Sequence, residues 1–383
     1  MKRIPVTIVS GFCSSGKSSL IAHLQAGLTG SAVTVIQDDG ERDLLNDLHD
    51  LAKDRSCEFA IIEGSAAAMP FETAEFLVNG DEYGLPPSEF CRVDCLVTVV
   101  DASTFLADVN DKSSILTRGL SIEDGDDRSV SEVILEQIEF ADVLVLNKID
   151  LVEIEQCQLL TALLERLNPR AFLFSTARGR VQVRDVIDTG YFDFEDTEYG
   201  AGWLAELEGV FAENVEIDQD WCGVSSFTFD ERRPFHPTRF QNLLDDLQSG
   251  ELPSLLGLVR AKGAVWIASR HHEIGIWSVA GNASALYFGG IWFASTPVSE
   301  WPKDESDRDE IMSEWELPFG DRRQHIAFIG VEMNETYLRE RLNDCLLRDD
   351  EMVDGPLSWD ALEDPLPSWY RSDDEEFYRD DEL

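Results

Sequence analysis

The chain has 383 residues, with 75 Asp and Glu against 31 Lys and Arg and a formal net charge of −44. So acidic a surface is repelled by phosphate backbones and anionic headgroups, which disfavours general binding to nucleic acid or membrane, and no apolar run reaches the ~18 residues of a membrane span. The length suits two or three domains at ~150 residues each.

The opening "MKRIPVTIVSGF" is basic and then apolar, as a signal peptide would be, but its apolar run leads straight into a Gly-rich loop. It therefore reads as a first buried strand of a cytoplasmic protein. The seven cysteines are odd in number and scattered, with no C-x-x-C, which indicates reduced thiols rather than a disulfide framework. Cys91 and Cys95 stand at the entrance to an apolar strand and read as buried thiols. For the acidity itself, a strongly solvated surface is the plain account, with adaptation to high salt and attraction of cations as alternatives.

In chain order, "IPVTIVS" predicts a strand and "KSSLIAHLQAGL" a helix. "AVTVIQ", "EFAIIEG", "CLVTVVD", "VLVLNKID" and "AFLFST" predict further strands. "LLNDLHDLAKD", "SVSEVILEQIEFA" and "VEIEQCQLLTALLERLN" predict helices between them. Continuous β-branched runs separated by helices give an α/β fold, a doubly wound and mainly parallel sheet covered on both faces, ending near residue 187. An acidic, aromatic linker fills 188–220, and "SIEDGDDRSVSE" reads as an exposed loop. From 221 to 350 the strands "LVRAKGAVWIAS", "IGIWSVAG", "ALYFGGIWFAS" and "HIAFIGVEM", with a closing helix capped by Asn334, predict a smaller α+β domain with a mostly antiparallel sheet. Residues 351–383 read as an acidic, at least partly disordered tail.

The chemistry starts at "GFCSSGKSS", Gly11 to Ser19, which satisfies G-x-x-x-x-G-K-[ST] between a strand and a helix. In this pattern the glycines let backbone N–H groups turn inward on a phosphate chain. Lys17 supplies charge to the β and γ phosphates, and Ser18 a hydroxyl to Mg²⁺. Cys13, Ser14, Ser15, Gly16 and Ser19 complete the cradle. Asn147, Lys148 and Asp150 of "NKID" follow an apolar strand, where ligands of such sheets bind. A carboxylate there matches guanine N1–H and its exocyclic amine, so GTP is preferred over ATP. Glu63 ends another strand, placed to hold Mg²⁺ or orient the attacking water. Asp38 and Asp39 face the same edge, as metal-supporting groups or a plain acidic turn, and Thr176 and Ala177 are candidates beside the base.

With these motifs the chain resembles the CobW-like GTPases, a family of metal-chaperone and metal-homeostasis proteins. "PVTIVSGFCSSGKSSLIAHL", "IIEGSAAAMP", "LVTVVDASTF" and "ADVLVLNKIDLV" are similar to successive family segments, as are "GVSSFTFDERRPFHPTRF", "VRAKGAVWIAS" and "FGDRRQHIAFIG" in the second half. The resemblance covers roughly residues 4 to 350. It implies GTP and Mg²⁺ as cofactors through Lys17, Ser18, Glu63, Asn147, Lys148 and Asp150, with slow hydrolysis, a conformational change passed to the second domain, and a client protein. Arg232, Arg233, His236, Arg260 and Lys262 fall in the second-domain signature, where packing or interdomain contact is the expected role.

The chain departs from the family in three places. The Cys-x-Cys-Cys proposed for metal transfer is missing, since the interval from Gly40 to Glu63 holds only Cys57. Ala66 stands for the switch glycine and Met69 for the family Asp. One thiolate does not close a tetrahedral Zn²⁺ site, and His23, His49, Cys57, His271 and His272 show no ligand spacing. Zn²⁺ or Co²⁺ as cargo is left open, against a GTP-switched binding module or a metalloenzyme assembly factor that carries no metal.

Overall fold

The computed structural model describes residues 3–38, 44–53, 57–80, 87–120, 126–194, 197, 202–208, 221–249 and 257–369. Its chain divides into two compact units, Met1–Val224 and Ser225–Leu383.

The first unit is built on six strands: β1 (Ile4–Ser10), β2 (Val33–Asp38), β3 (Phe59–Gly64), β4 (Cys91–Asp101), β5 (Val143–Asn147) and β6 (Phe172–Ser175). They lie in the order β2-β3-β1-β4-β5-β6, every neighbouring pair parallel. β1, β3, β4 and β5 are buried almost throughout, which is why they read as unbroken apolar runs rather than alternating ones. Helix α1 (Lys17–Gly27) turns Leu20, Ile21 and Leu24 into the core. Helix α5 (Val130–Glu139) starts on a reciprocal cap, Ser129 accepting from the Glu132 amide while Glu132 reaches back to the Ser129 amide. The connections α2 (Leu44–Lys53), α3 (Pro70–Asn79), α4 (Phe105–Val109) and α6 (Ile154–Leu167) complete the layers. Among the described residues no helix is long and apolar enough to cross a membrane.

Two features of this unit differ from the sequence expectation. β4 begins at Cys91 rather than Cys95, so both thiols lie inside the strand and burial pushes both up, Cys91 to about 12. Asp94, fully buried between them, accepts from the amides of Thr189 and Gly190 at 3.0 Å. Helix α3, which the sequence left unassigned, starts with Pro70 at its first position, where the missing N–H costs nothing, and buries Ala74 and Leu77.

Asp142, just before β5, carries a testable consequence of burial. Its carboxylate accepts from the Leu96 amide at 2.8 Å and pairs with Arg170 at 3.0 Å, yet burial outweighs both and pushes it up to about 6. A folded pKa above the unfolded ~3.9 means that the native state holds this proton more tightly. The stability it contributes is present at low pH and is lost as pH rises from about 4 to 6. Asp142→Asn keeps the acceptor and removes the titration. Urea unfolding should show the variant gaining on the parent by about 2 kcal/mol between pH 4 and pH 7; an equal difference at both pH values refutes this.

The second unit holds β7 (Val224–Glu231), β8 (Leu258–Val265), β9 (Glu273–Ala280), β10 (Ala283–Ile291) and β11 (Gln324–Val331) in the order β10-β9-β8-β11-β7. β8 pairs antiparallel with β9 and β11, and β9 with β10. Asn334 caps the helix Glu335–Cys345 through the Tyr337 amide, as expected. The signature residues of this half hold the unit together. Arg260, 1% exposed, donates to Ser278 Oγ at 3.0 Å. Arg232 donates to the Glu314 carbonyl and Arg233 to the Leu347 carbonyl, both at 2.9 Å, while the His236 amide donates to the Cys345 carbonyl at 2.8 Å.

The tail expected to be at least partly disordered is ordered packing as far as residue 369, and residues 370–383 lie outside the described residues. Trp359 is 1% exposed, packs against Trp266 and Phe319, and donates to the Glu351 carbonyl at 2.8 Å. Asp364 receives a two-pronged contact from Arg270, whose guanidinium also lies over Trp369. Acidic composition concealed this because the carboxylates are spent on arginines while the tryptophans do the burying. Trp359→Ala should destabilise this unit by about 3–5 kcal/mol in chemical denaturation; a loss below about 1 kcal/mol would mean that the segment is not docked.

Candidate functional site

The loop after β1 turns sharply at two glycines. Gly11 has φ +137, and a Cβ there would collide with the Val99 carbonyl of β4; Gly16 has φ +109, and a Cβ there would land on Asn147 Nδ2. Ser14 is left-handed between them. Lys17 folds back so that its ammonium donates to the Gly11 carbonyl. Burial pushes that ammonium below its ordinary value, with Glu63 and Cys13 opposing the shift.

Beneath the loop, Ser18 Oγ donates to Glu63 Oε1 at 2.7 Å, and Gln37 Nε2 donates to Glu63 Oε2 at 2.7 Å. The register Val9↔Glu63 and Gln37↔Glu63 brings these groups together at the carboxyl edge of three adjacent strands. Two hard oxygen donors side by side, one of them a carboxylate fixed by an amide, suit Mg²⁺. The structure brings Ser18 and Glu63, both singled out from the sequence, together with Gln37, which was not, because its place beside Glu63 depends on strand register.

The second motif is tied physically to the first. Asn147, 1% exposed, donates to the Ser15 carbonyl at 2.9 Å and accepts from the Gly179 amide at 2.9 Å. Its side chain thus clamps the phosphate loop to the turn after β6. Lys148 is left-handed, and its ammonium pairs with Asp101 at 2.5 Å. Burial alone pushes the Asp101 carboxyl up, but hydrogen bonds from Lys148 and Ser103 bring it below its ordinary value. Asp150 sits in the short turn Ile149–Leu151 with its side chain exposed. The Thr176 carbonyl accepts from the Ile149 amide at 3.3 Å, placing the Thr176–Ala177 turn beside the same motif.

The segment after Glu63 is gripped from α5. Gln137, 1% exposed, donates to the carbonyls of Ala66 and Ala68 at 3.1 and 2.9 Å, and Ser65 Oγ accepts from the amides of Ala67 and Ala68. Ala66 is not among the residues with positive φ, so alanine stands at the switch position without strain. Met69 is buried and brings no charge.

The other candidates do not converge. Asp38 accepts from Thr73 at 3.3 Å, whereas Asp39 and the His49 side chain lie outside the described residues. His23 contacts the Val181 carbonyl, Cys57 donates to the Phe59 carbonyl, and the His271 and His272 rings stack at 3.8 Å in the second unit. Among the described residues no three of His, Cys, Asp and Glu are grouped to hold a metal.

Residues 39–175 match the nucleotide-binding domain of the CobW/HypB/UreG family, and residues 224–346 match the cobalamin synthesis protein cobW C-terminal domain. The chain belongs to the CobW family. A zinc-regulated GTPase metalloprotein activator of Dictyostelium discoideum is 31% identical over 95% of this chain and 84% of its own length. A zinc chaperone of Mycobacterium tuberculosis is 29% identical over 73% of this chain and 62% of its own length. The crystal structure of the Zn(II)-bound YjiA GTPase from E. coli aligns over 91% of this chain and 100% of that one, at 17% identity and a TM-score of 0.36. In this CobW-family chain the phosphate loop, Glu63 and Asn147 are one hydrogen-bonded assembly rather than three separate motifs.

Proposed function

We propose that this CobW-family protein is a Mg²⁺-dependent GTPase that hydrolyses GTP slowly and uses the nucleotide cycle to deliver zinc to a client metalloprotein. The observation that carries the reading is the Ser18–Glu63 pair directly beneath the phosphate loop, with the guanine motif clamped to that loop by Asn147. Lys17 and the inward N–H groups of the loop hold the phosphates. Ser18 and Glu63 would hold Mg²⁺, which when bound neutralises charge on the β and γ oxygens. Glu63 would orient the attacking water, and the Ala66 amide would meet the γ-phosphate. Among the described residues Arg118 pairs with Asp111, and Arg128, which also reaches the Ala67 carbonyl, pairs with Asp126. With these two engaged, slow intrinsic turnover is expected, well below about 1 s⁻¹.

A second reading is a GTP-gated module that binds its client without carrying metal. It is favoured by the lack of a three-ligand group among the described residues. A titration with Zn²⁺ and with Co²⁺, each with and without GTP, separates the two. Sub-micromolar, nucleotide-sensitive affinity supports delivery of metal. Weak, nucleotide-independent binding supports the module. Loss of GTP binding on removing Mg²⁺ tests the shared part, and Mg²⁺-independent affinity refutes it.

A further inference from the structure

Leu357, Val353 and Leu317 are the three most exposed large hydrophobic residues among those described, at 90, 85 and 84%. Single exposed aliphatics are ordinary on a protein surface, but these three gather over one part of the second unit. Beneath them lies the aromatic cluster of Trp266, Trp292 and Trp359, against which Phe319 and Met352 pack. Each exposed residue stands one or two positions from a member of that packing: Leu317 from Phe319, Val353 from Met352, Leu357 from Trp359. The rings of Phe319 and Trp359 lie 5.6 Å apart, which brings the turn Glu316–Gly320 against the short helices Asp349–Asp354 and Pro356–Trp359. With the aromatic neighbours turned inward, the aliphatic side chains are left on the outer face. The surroundings are acidic, because Arg348 to Trp369 holds seven Asp and Glu and a single Arg. Arg232 and Arg323 answer Glu314, and Arg233 answers Asp349. Asp350, Asp354 and Glu363 are exposed and form no ion pair among the described residues.

We propose that this face is a docking surface for a partner polypeptide segment in which aliphatic side chains alternate with Lys and Arg. The partner's aliphatics cover Leu317, Val353 and Leu357 and take that apolar surface out of water, while its cations meet Asp350, Asp354 and Glu363. Charge decides against the other occupants. A second copy would set the same acidic face against this one. Residues 370–383, which follow Trp369, hold seven Asp and Glu against two Arg and are repelled likewise. An anionic lipid surface meets the same repulsion. The surface lies wholly within the second unit, so the proposal does not rest on the nucleotide reading.

The test titrates the full chain into two fluorescein-labelled peptides of about 15 residues, one built of Leu and Lys and the other of Leu and Glu in the same order, and reads anisotropy. The Leu–Lys peptide should bind and the Leu–Glu peptide should not, with affinity for the first falling about tenfold between low and high salt. Leu317→Ser combined with Leu357→Ser leaves the net charge of −44 in place, so general attraction of cations cannot explain a loss. That double variant should weaken the Leu–Lys peptide by about tenfold or more, with an unchanged unfolding midpoint because both side chains are exposed. Leu116→Ser, at an exposed leucine of the first unit, is the control and should change nothing. Asp350→Asn combined with Asp354→Asn reads the rim separately, and should weaken binding by about threefold or more and flatten its salt dependence. Parent-like affinity in either double variant overturns the proposal, as does equal binding of the two peptides. Binding to phosphatidylglycerol vesicles, or a concentration-dependent dimer that the leucine double variant lacks, would make the occupant a lipid surface or a second copy and overturns it as well.

Discussion

Gly16→Ala is expected to abolish GTP binding and to weaken the first unit by roughly 3–5 kcal/mol. Part of the cost is backbone strain, because φ is +109 and an L residue there loses about 1–2 kcal/mol. The larger part comes from Asn147. The new Cβ would land on its Nδ2, and that side chain cannot swing aside freely because it is buried and bonded at both ends, to the Ser15 carbonyl and the Gly179 amide. Moving it leaves buried backbone groups unsatisfied at ~1–3 kcal/mol each. Gly30→Ala is the control, since Gly30 has φ +99 with nothing within 4 Å of the added carbon. It should cost only the strain and leave GTP affinity intact. Urea unfolding and a fluorescent GTP titration measure both effects. If the two variants prove equally stable, the clamp through Asn147 does not hold the loop.

The same contact shows how much of the site could be read from the sequence. Gly11 to Ser18 and the NKID tetrapeptide announce themselves because each is a local pattern, a loop or a strand end whose chemistry is complete within a few residues. What joins them is not local. Asn147 reaches residues 132 and 32 positions away, and Gln137 reaches Ala66 across 71. No spacing rule encodes such distances, which are set by strand order. Polar residues inside buried elements mislead for a related reason. Asp94 interrupts the apolar run of β4 and so delayed its predicted start, but in the fold its carboxylate is satisfied by two backbone amides. In the segment 351–369, charge likewise outvoted three buried or packed aromatic and aliphatic anchors, Trp359, Leu366 and Trp369. A sequence displays its carboxylates and leaves their partners to the fold.

Asp150→Asn should change which base the protein accepts rather than whether it folds. The side chain is exposed in the turn after the clamped strand, so the substitution removes no buried contact, and the unfolding midpoint should not move. Its effect falls on the nucleotide. On the proposed reading the carboxylate would accept from guanine N1–H and from the exocyclic amine, two hydrogen bonds to a charged group worth ~1.5–3 kcal/mol each. An amide retains one acceptor and turns an N–H toward the amine, donor against donor. GTP affinity should fall by about 100-fold or more. Xanthine carries a carbonyl where guanine carries the amine, and that carbonyl accepts from the new amide N–H. Xanthosine triphosphate should therefore bind the variant more tightly than GTP does, the reverse of the parent. Competition of the two nucleotides against a fluorescent analogue reads the ratio directly. A parallel loss of both would place Asp150 in folding of the turn, and an unchanged ratio would remove it from base recognition altogether.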